Sequence, residues 1–347
     1  MATSAEGPST PPPRETPSLT LHDVAARAGV SVMTVSRVLS GTAKVRPEKT
    51  KLVLEAVSAL GYRRNENARS LRPGQRTGLI GVVITNASNP YYAEMQLGVE
   101  EVLARRGMRT LIGNSGDDTD RERQLVQDFI GWHVDGLVVV PSGAEAPHLQ
   151  PQALAGKPVV LAARPVPGLE VDAVLVDDTG GALEGTRRLI EEGHRRIAFI
   201  GHNMSVRTCE RRFEGFMQAH REAGIDVDDR LIQLARRGQD ASLVPARSLL
   251  RLSNPPTAIF SANNRNTIAV MHAMNEWRTA EGTLPDIRVM SFDNFDTADL
   301  MPIHLSVIDH DPRELGRRAA DLLIARLDER GAPSAPTTFE LSTRLLL

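Results

Sequence analysis

The chain has one cysteine, Cys209, in 347 residues, so no disulfide can form within it. The thiol reads as a small packed side chain. Aromatic residues make up only 4% of the sequence, with 3 Tyr and 2 Trp, so an adjacent pair such as Tyr91-Tyr92 stands out. No apolar run reaches the roughly 18 residues of a membrane span. The N-terminal stretch lacks a basic region followed by an apolar one; no secretory leader is legible, and a cytoplasmic location is expected. Motifs of catalysis are also missing. There is no Gly-rich dinucleotide loop, no P-loop and no G-x-S-x-G, and the 9 histidines lack metal-ligand spacing. The expectation is a chain with no enzyme activity, no cofactor and no metal.

A hydrophobic content of 41% is ample for a core, and the length suits two or three domains. The formal charge of −2 hides an asymmetry. Residues 19–76 carry 11 basic and 4 acidic side chains, a net of +7, which leaves −9 for the rest. A basic module on an acidic body suits phosphate binding by the module alone. Residues 1–18 are rich in Pro, Ser and Thr and read as a disordered tail.

Within the basic module, Leu21, Val24, Ala25 and Ala28 recur at helical spacing. Thr20 precedes them as a candidate N-cap, with Asp23 three residues on. Gly29 suits a left-handed C-terminal residue. Ser31 can cap a second helix, 32–39, that turns Val35, Val38 and Leu39 inward and Met33, Thr34, Ser36 and Arg37 outward. A third helical pattern runs over 45–62 and ends at Gly61. Two short helices around a tight turn, with a polar and cationic face on the second, form a helix-turn-helix, which sets one helix in the DNA major groove.

The stretches DVAARAGVS, TVSRVLSG and LGY, with ARSL beyond, resemble the N-terminal domain and hinge of the LacI family of bacterial repressors. The resemblance runs from Thr20 to about Thr77 and, with the body, covers nearly all the chain after residue 18. It implies base reading by Val32, Met33 and Arg37, of which only Arg37 can read hydrogen-bond patterns, typically on guanine. Thr20, Ser31, Thr34, Ser36 and Lys44 would touch phosphates or cap helices, and Leu21 and Ala68 complete the DNA-facing set. Residues 66–71 resemble the hinge helix, with Leu71 wedging the minor groove. Arg64 stands where the family has proline. A homodimer on an inverted-repeat operator is expected, because the last residues show no heptads for a tetramerising coiled coil.

From residue 79 onward, short apolar runs alternate with helical patterns. The runs are 79–84, 110–114, 136–140, 158–163 and 173–177, then 196–201, 231–235, 257–263 and 287–293. Such alternation predicts two α/β lobes with parallel sheets and a ligand beyond the strand C-termini. The resemblance implies a two-lobed periplasmic-binding-protein-like fold behind an all-α head. Its N-lobe would comprise about 78–176 and 308–332, and its C-lobe about 177–305 and 333–347. The head would be 19–64 and the hinge 65–77. A small effector, a sugar or sugar derivative, would lie between the lobes. Its contacts would come from Tyr91, Tyr92, Arg164, Arg212, Asn263 and Asp293, of which Arg212 and Asp293 could equally form a structural ion pair and Tyr91 could be core. Asn264 and Ala163 stand where the family has acidic residues. With Arg164, they suggest a shift toward an anionic ligand. A sugar-binding transport component shares the body's pattern but not the basic head. Effector identity, and whether the effector induces or co-represses, are not legible.

Overall fold

The computed structural model describes residues 19–40, 45–62, 76–234, 243–283, 285–300, 303–329 and 334–347. These fall into two compact units that divide between Gln75 and Arg76. The expected tail, Lys44, and the hinge segment with Ala68 and Leu71 lie outside the described residues.

The first unit is helical: α1 (Leu21–Ala28), α2 (Val32–Ser40) and α3 (Pro47–Leu60). Local chemistry fixes its ends. The Asp23 carboxylate accepts from both the backbone N–H and the hydroxyl of Thr20, each at 2.7 Å, which holds its pKa below the ordinary value. Gly29 closes α1 at φ 65°, in the left-handed region. Ser31 Oγ then accepts from the backbone N–H of Thr34 at the start of α2. Val24, Ala25, Ala28, Val35, Val53, Ala56 and Tyr62 form a small shared core. The third helix begins at Pro47 rather than Val45, because proline at the first position supplies the fixed φ without needing a hydrogen bond.

The second unit holds two six-stranded sheets. In chain order its elements are β1 (Leu79–Ile84), α4 (Pro90–Ala104), β2 (Arg109–Asn114), α5 (Thr119–Gly131), β3 (Gly136–Val139), β4 (Val159–Ala162) and β5 (Asp172–Val176). There follow α6 (Asp178–Glu191), β6 (Ile197–Gly201), α7 (Arg207–Glu222), β7 (Ile232–Leu234), α8 (Leu243–Leu250), β8 (Ala258–Ser261) and α9 (Asn264–Glu281). The chain ends with β9 (Arg288–Phe292), β10 (Leu305–Asp309), α10 (Pro312–Asp328), β11 (Thr338–Leu341) and β12 (Arg344–Leu346). The N-lobe sheet has the order β11-β5-β4-β3-β1-β2 and the C-lobe sheet β12-β10-β9-β8-β6-β7. All pairings are parallel except that of β12 with β10. Strands buried on both faces carry near-continuous Val, Ile and Leu, as parallel sheets require.

The chain passes between lobes three times, and two of the crossings differ from the expectation. The first lies at Val176–Asp177, between β5 and α6. The second falls after Asp309, because residues 305–309 form a full strand beside β9 in the C-lobe. The third falls at 341–344. Residues 338–341 therefore belong to the N-lobe sheet, against the sequence assignment of the whole tail to the C-lobe. Asp172 sets that register: its carboxylate accepts from the Thr337 backbone N–H at 2.7 Å and pairs with Arg326. Within the N-lobe, α4 and α10 cross almost backbone to backbone. A Cβ on Gly98 would fall within 3.0 Å of the Arg313 carbonyl oxygen, and one on Gly316 within 3.0 Å of the Met95 carbonyl oxygen.

Candidate nucleic-acid interface and ligand cleft

In the helical unit, periodicity leaves one face of α2 outside the core. Met33 is 63% exposed and Arg37 is also exposed, four residues apart on one helix face. Ser36 and Thr34 are half-buried beside them, with the Thr34 hydroxyl 2.9 Å from that of Ser31. An exposed thioether beside a guanidinium matches an apolar contact plus a bidentate donor for base edges. Thr20 is exposed at the start of α1, but its hydroxyl is bonded to Asp23. Val32 and Leu21 are both half-buried against the shared core, so only part of each side chain is available to DNA.

In the α/β unit, a cavity of about 840 Å³ lies between the lobes at the C-terminal ends of the strands. Tyr92, Arg164 and Asn263 line it. Tyr91 and Asp293 do not; they line a second cavity, of about 950 Å³, beside the crossover segments. Arg212 is buried and lines neither. The six expected ligand residues are thus divided among two cavities and the wall between them.

The cleft's electrostatics follow from pairing. Arg164 Nη1 donates to Asp117 Oδ1 at 2.6 Å and to the Pro141 carbonyl oxygen at 3.0 Å, while Nη2 lies 3.3 Å from Tyr92 Oη. Burial alone would lower the Arg164 pKa, but the neighbouring Tyr92 and Asp117 raise it on balance. Arg212 donates from Nε to Asp178 at 2.8 Å, and from Nη1 to the Ala262 carbonyl oxygen at 2.6 Å and to Asp293 Oδ2 at 3.1 Å. Its guanidinium carbon sits 3.7 Å from the centre of the Phe292 ring. Burial pushes the Asp178 carboxyl up to about 6 against the pull of Arg212. Both arginines thus already face carboxylates, and the gain of Arg164 brings no unmatched positive charge. The ion-pair alternative raised for Arg212 and Asp293 is present in the structure. Asn263 caps α9, its side chain accepting from the Asn266 backbone N–H at 2.8 Å. Tyr91 is edge-on to Tyr92, with ring centres 5.1 Å apart.

Several features of this region carry no signal in the sequence. Asp117, Ala163 and Asp293 have φ of 58°, 62° and 65°, a left-handed conformation that costs non-glycine residues energy and gathers where backbone is shaped for a ligand. Asn89 and Asn264 form a reciprocal amide pair across the lobes, at 3.0 and 3.2 Å. His310 follows β10 and reaches Tyr91 Oη with Nε2 at 3.3 Å. Only the resemblance pointed near these places, through the departures at 163 and 264. No periodicity marks a residue whose role is set by a turn or by a partner in the other lobe. Cys209 is buried near the start of α7, its thiol pushed by burial up to about 11, as a packed residue should be.

Known proteins match both units. Residues 20–65 match the family described as bacterial regulatory proteins, lacI family. Residues 77–342 match periplasmic binding proteins and sugar binding domain of LacI family. The chain is 31% identical to the HTH-type transcriptional regulator CelR of Thermobifida fusca, over 94% of this chain and 97% of that protein. It is also 31% identical to the HTH-type transcriptional regulator GalR of Escherichia coli (strain K12), over 92% of each. A solved structure of a transcriptional regulator CelR-cellobiose complex superposes with a TM-score of 0.69 at 30% identity, covering 95% of this chain and 98% of that one. No helix among the described residues is long and apolar enough to cross a membrane. With both units matched end to end, this chain belongs to the LacI family of bacterial transcriptional regulators.

Proposed function

We propose that this regulator is a cytoplasmic repressor that binds an inverted-repeat operator as a homodimer and responds to a neutral polyhydroxylated effector, a sugar or close derivative. Arg37 and Met33 read base edges from α2. Thr20, Ser31, Thr34 and Ser36 serve the phosphates or the helix ends, and Lys44, Ala68 and Leu71 have the DNA-facing roles that the resemblance implies. The effector occupies the cleft at Tyr92, Arg164 and Asn263. Arg212 organises its inner wall, with Tyr91 and Asp293 behind. Tyr92 supplies an apolar platform, and the amide and guanidinium groups supply directional hydrogen bonds to vicinal hydroxyls. The chain is assigned no reaction.

The observation that carries the ligand class is the pairing of Arg164, the buried arginine of the cleft wall, with Asp117, backed by the Arg212 pairs behind it. A neutral ligand leaves these pairs intact, whereas an anion must compete with Asp117 for Arg164. This replaces the anionic preference inferred from the departures at 163 and 264. Control of DNA binding then requires the effector to favour one arrangement of the lobes over another. The test is a thermal-shift screen of sugars and sugar acids, followed by gel shift on the chain's own upstream DNA at rising salt. A neutral sugar that raises the melting temperature and changes the shift supports the reading. Stabilisation by sugar acids alone would refute the ligand class, and absence of any shift at low salt would refute the regulator.

A further inference from the structure

We infer that the second cavity, beside the crossover segments, is a binding site for an organic ammonium ion, separate from the effector cleft. It measures about 950 Å³ and is lined by Tyr91, Asp293, Phe295, Asp296, Asp299 and His310, among others. Two buried atoms on its wall have no hydrogen-bond partner: Asp293 Oδ1 and His310 Nδ1. Their side chains are only 10% and 1% exposed, and the two atoms are 3.9 Å apart. Buried polar atoms are rarely left unsatisfied, because each loses its hydration without compensation. Their spacing lets one nitrogen sit about 2.8–3.0 Å from both. In the tautomer that carries its proton on Nε2, toward Tyr91 Oη, His310 Nδ1 is an acceptor, and so is the carboxylate. The shared partner must then donate twice. A hydroxyl carries one proton, whereas water carries two and a primary ammonium three, so the charge of the surroundings decides between the last two.

The charge of the cavity points the same way. Its lining includes Glu94 and five aspartates against a single basic residue, Arg344, which is already bonded to Asp309 at 2.6 and 2.8 Å. Asp311 is also engaged, capping α10 through the backbone N–H groups of Arg313 and Glu314. Glu94 lies 3.7 Å from Arg313. Asp296 and Asp299 are exposed and have no basic partner among the described residues, so they leave negative charge at the mouth. Tyr91 and Phe295 add ring surfaces that attract cations. An anion finds repulsion here, and a neutral polyol cannot answer the charge. The cavity shares Pro90, Phe295 and Asp296 with the cleft as a common wall, but Arg164 and Asn263 do not line it.

The test is isothermal titration of the full chain with three four-carbon probes of matched length: 1,4-diaminobutane, 1,4-butanediol and succinate. The diamine should bind, more weakly as salt is raised, while the diol and succinate give no binding heat. The double variant Asp296→Asn/Asp299→Asn, both sites exposed, should weaken the diamine about fivefold or more. Asp293→Asn should weaken it further, and Asn263→Ala in the cleft should leave it unchanged. The inference is overturned if no probe binds, which would leave solvent as the partner of the two buried atoms. It is also overturned if the diol binds as well as the diamine, or if the double variant binds the diamine at full strength. Loss of diamine binding in Asn263→Ala would move the amine into the cleft and refute a separate site. A sugar that still binds the single variant Asp299→Asn, whose side chain does not line the cleft, keeps the effector reading independent of this result.

Discussion

Replacing Arg212 with alanine removes the one cation that faces two buried carboxylates. Asp178 is 0% exposed and Asp293 7%. Each takes a hydrogen bond from the guanidinium, at 2.8 and 3.1 Å, and the Ala262 carbonyl oxygen takes a third at 2.6 Å. Breaking a buried pair from one side typically costs about 3–5 kcal/mol, because the partner charge stays buried and uncompensated. For a unit of this size, each kcal/mol lowers the melting temperature by about 2–4 °C, so Arg212→Ala should melt roughly 6–20 °C lower. The variant should also have a signature in pH. Burial already raises the Asp178 carboxyl to about 6 in the folded state, and removing Arg212 takes away the group that pulls it down. A raised folded pKa contributes stability that is present at low pH and lost as pH rises through it. The deficit of Arg212→Ala relative to the parent should therefore shrink as pH is lowered from about 7 toward 5. Arg212→Lys should fall between the two, since an ammonium cannot bridge both carboxylates and lie flat on Phe292. Differential scanning calorimetry across pH reads all of this. A melting temperature for Arg212→Ala within about 2 °C of the parent at neutral pH would show that the charges are not effectively buried, and the reasoning would fail.

Two further outcomes follow from the fold. Gly98→Ala puts a methyl group against the Arg313 backbone, which cannot swing aside as a side chain could. Overpacking of this kind costs about 1–3 kcal/mol and outweighs the gain of about 1 kcal/mol in helix propensity, so urea unfolding should show a lower midpoint; a higher midpoint would mean the two helices can separate freely. His202, His220 and His310 are all held below the ordinary histidine range, chiefly by burial. The unfolded chain takes up those protons first, so stability present above about pH 6.5 is lost as pH falls further. Asp178, raised to about 6, acts in the opposite sense and partly offsets the loss. Melting temperature should still decline on acidification, and less steeply in His220→Asn; an identical slope in that variant would contradict the assignment.

The fold was legible where the chain repeats a simple rule. In the head, apolar spacing, a capping pair and one glycine mark the first two helices, because each is decided by neighbours three or four residues away. In the body, the apolar runs become strands in the expected alternation. Legibility ended where long-range pairing decides. Residues 305–309 and 338–341 are short and partly polar, and each finds its sheet through a partner strand more than ten residues away in sequence. For the candidate site, residue type brought Tyr92, Arg164 and Asn263 together around one cavity and left Tyr91 and Asp293 on another. The Asn89–Asn264 pair and His310 escaped notice because single polar residues carry no periodic signal. The pairing of Arg164 with Asp117 was hidden for a related reason: a glycine-led turn bends Asp117 into the left-handed region and toward the arginine.

The central claim is that occupancy of the cleft alters the grip of the helical head on duplex DNA. The direct measurement is fluorescence anisotropy of an inverted-repeat fragment from the upstream DNA, titrated with the full chain, with and without a sugar shown to bind. Parent protein should bind the fragment, and saturating sugar should shift that affinity. Asn263→Ala should bind DNA like the parent but lose the response to sugar. Arg37→Ala should lose about 1–3 kcal/mol, or roughly 5–150-fold, on the specific fragment. A sugar that occupies the cleft at full stoichiometry yet leaves the affinity for DNA unchanged would contradict the account.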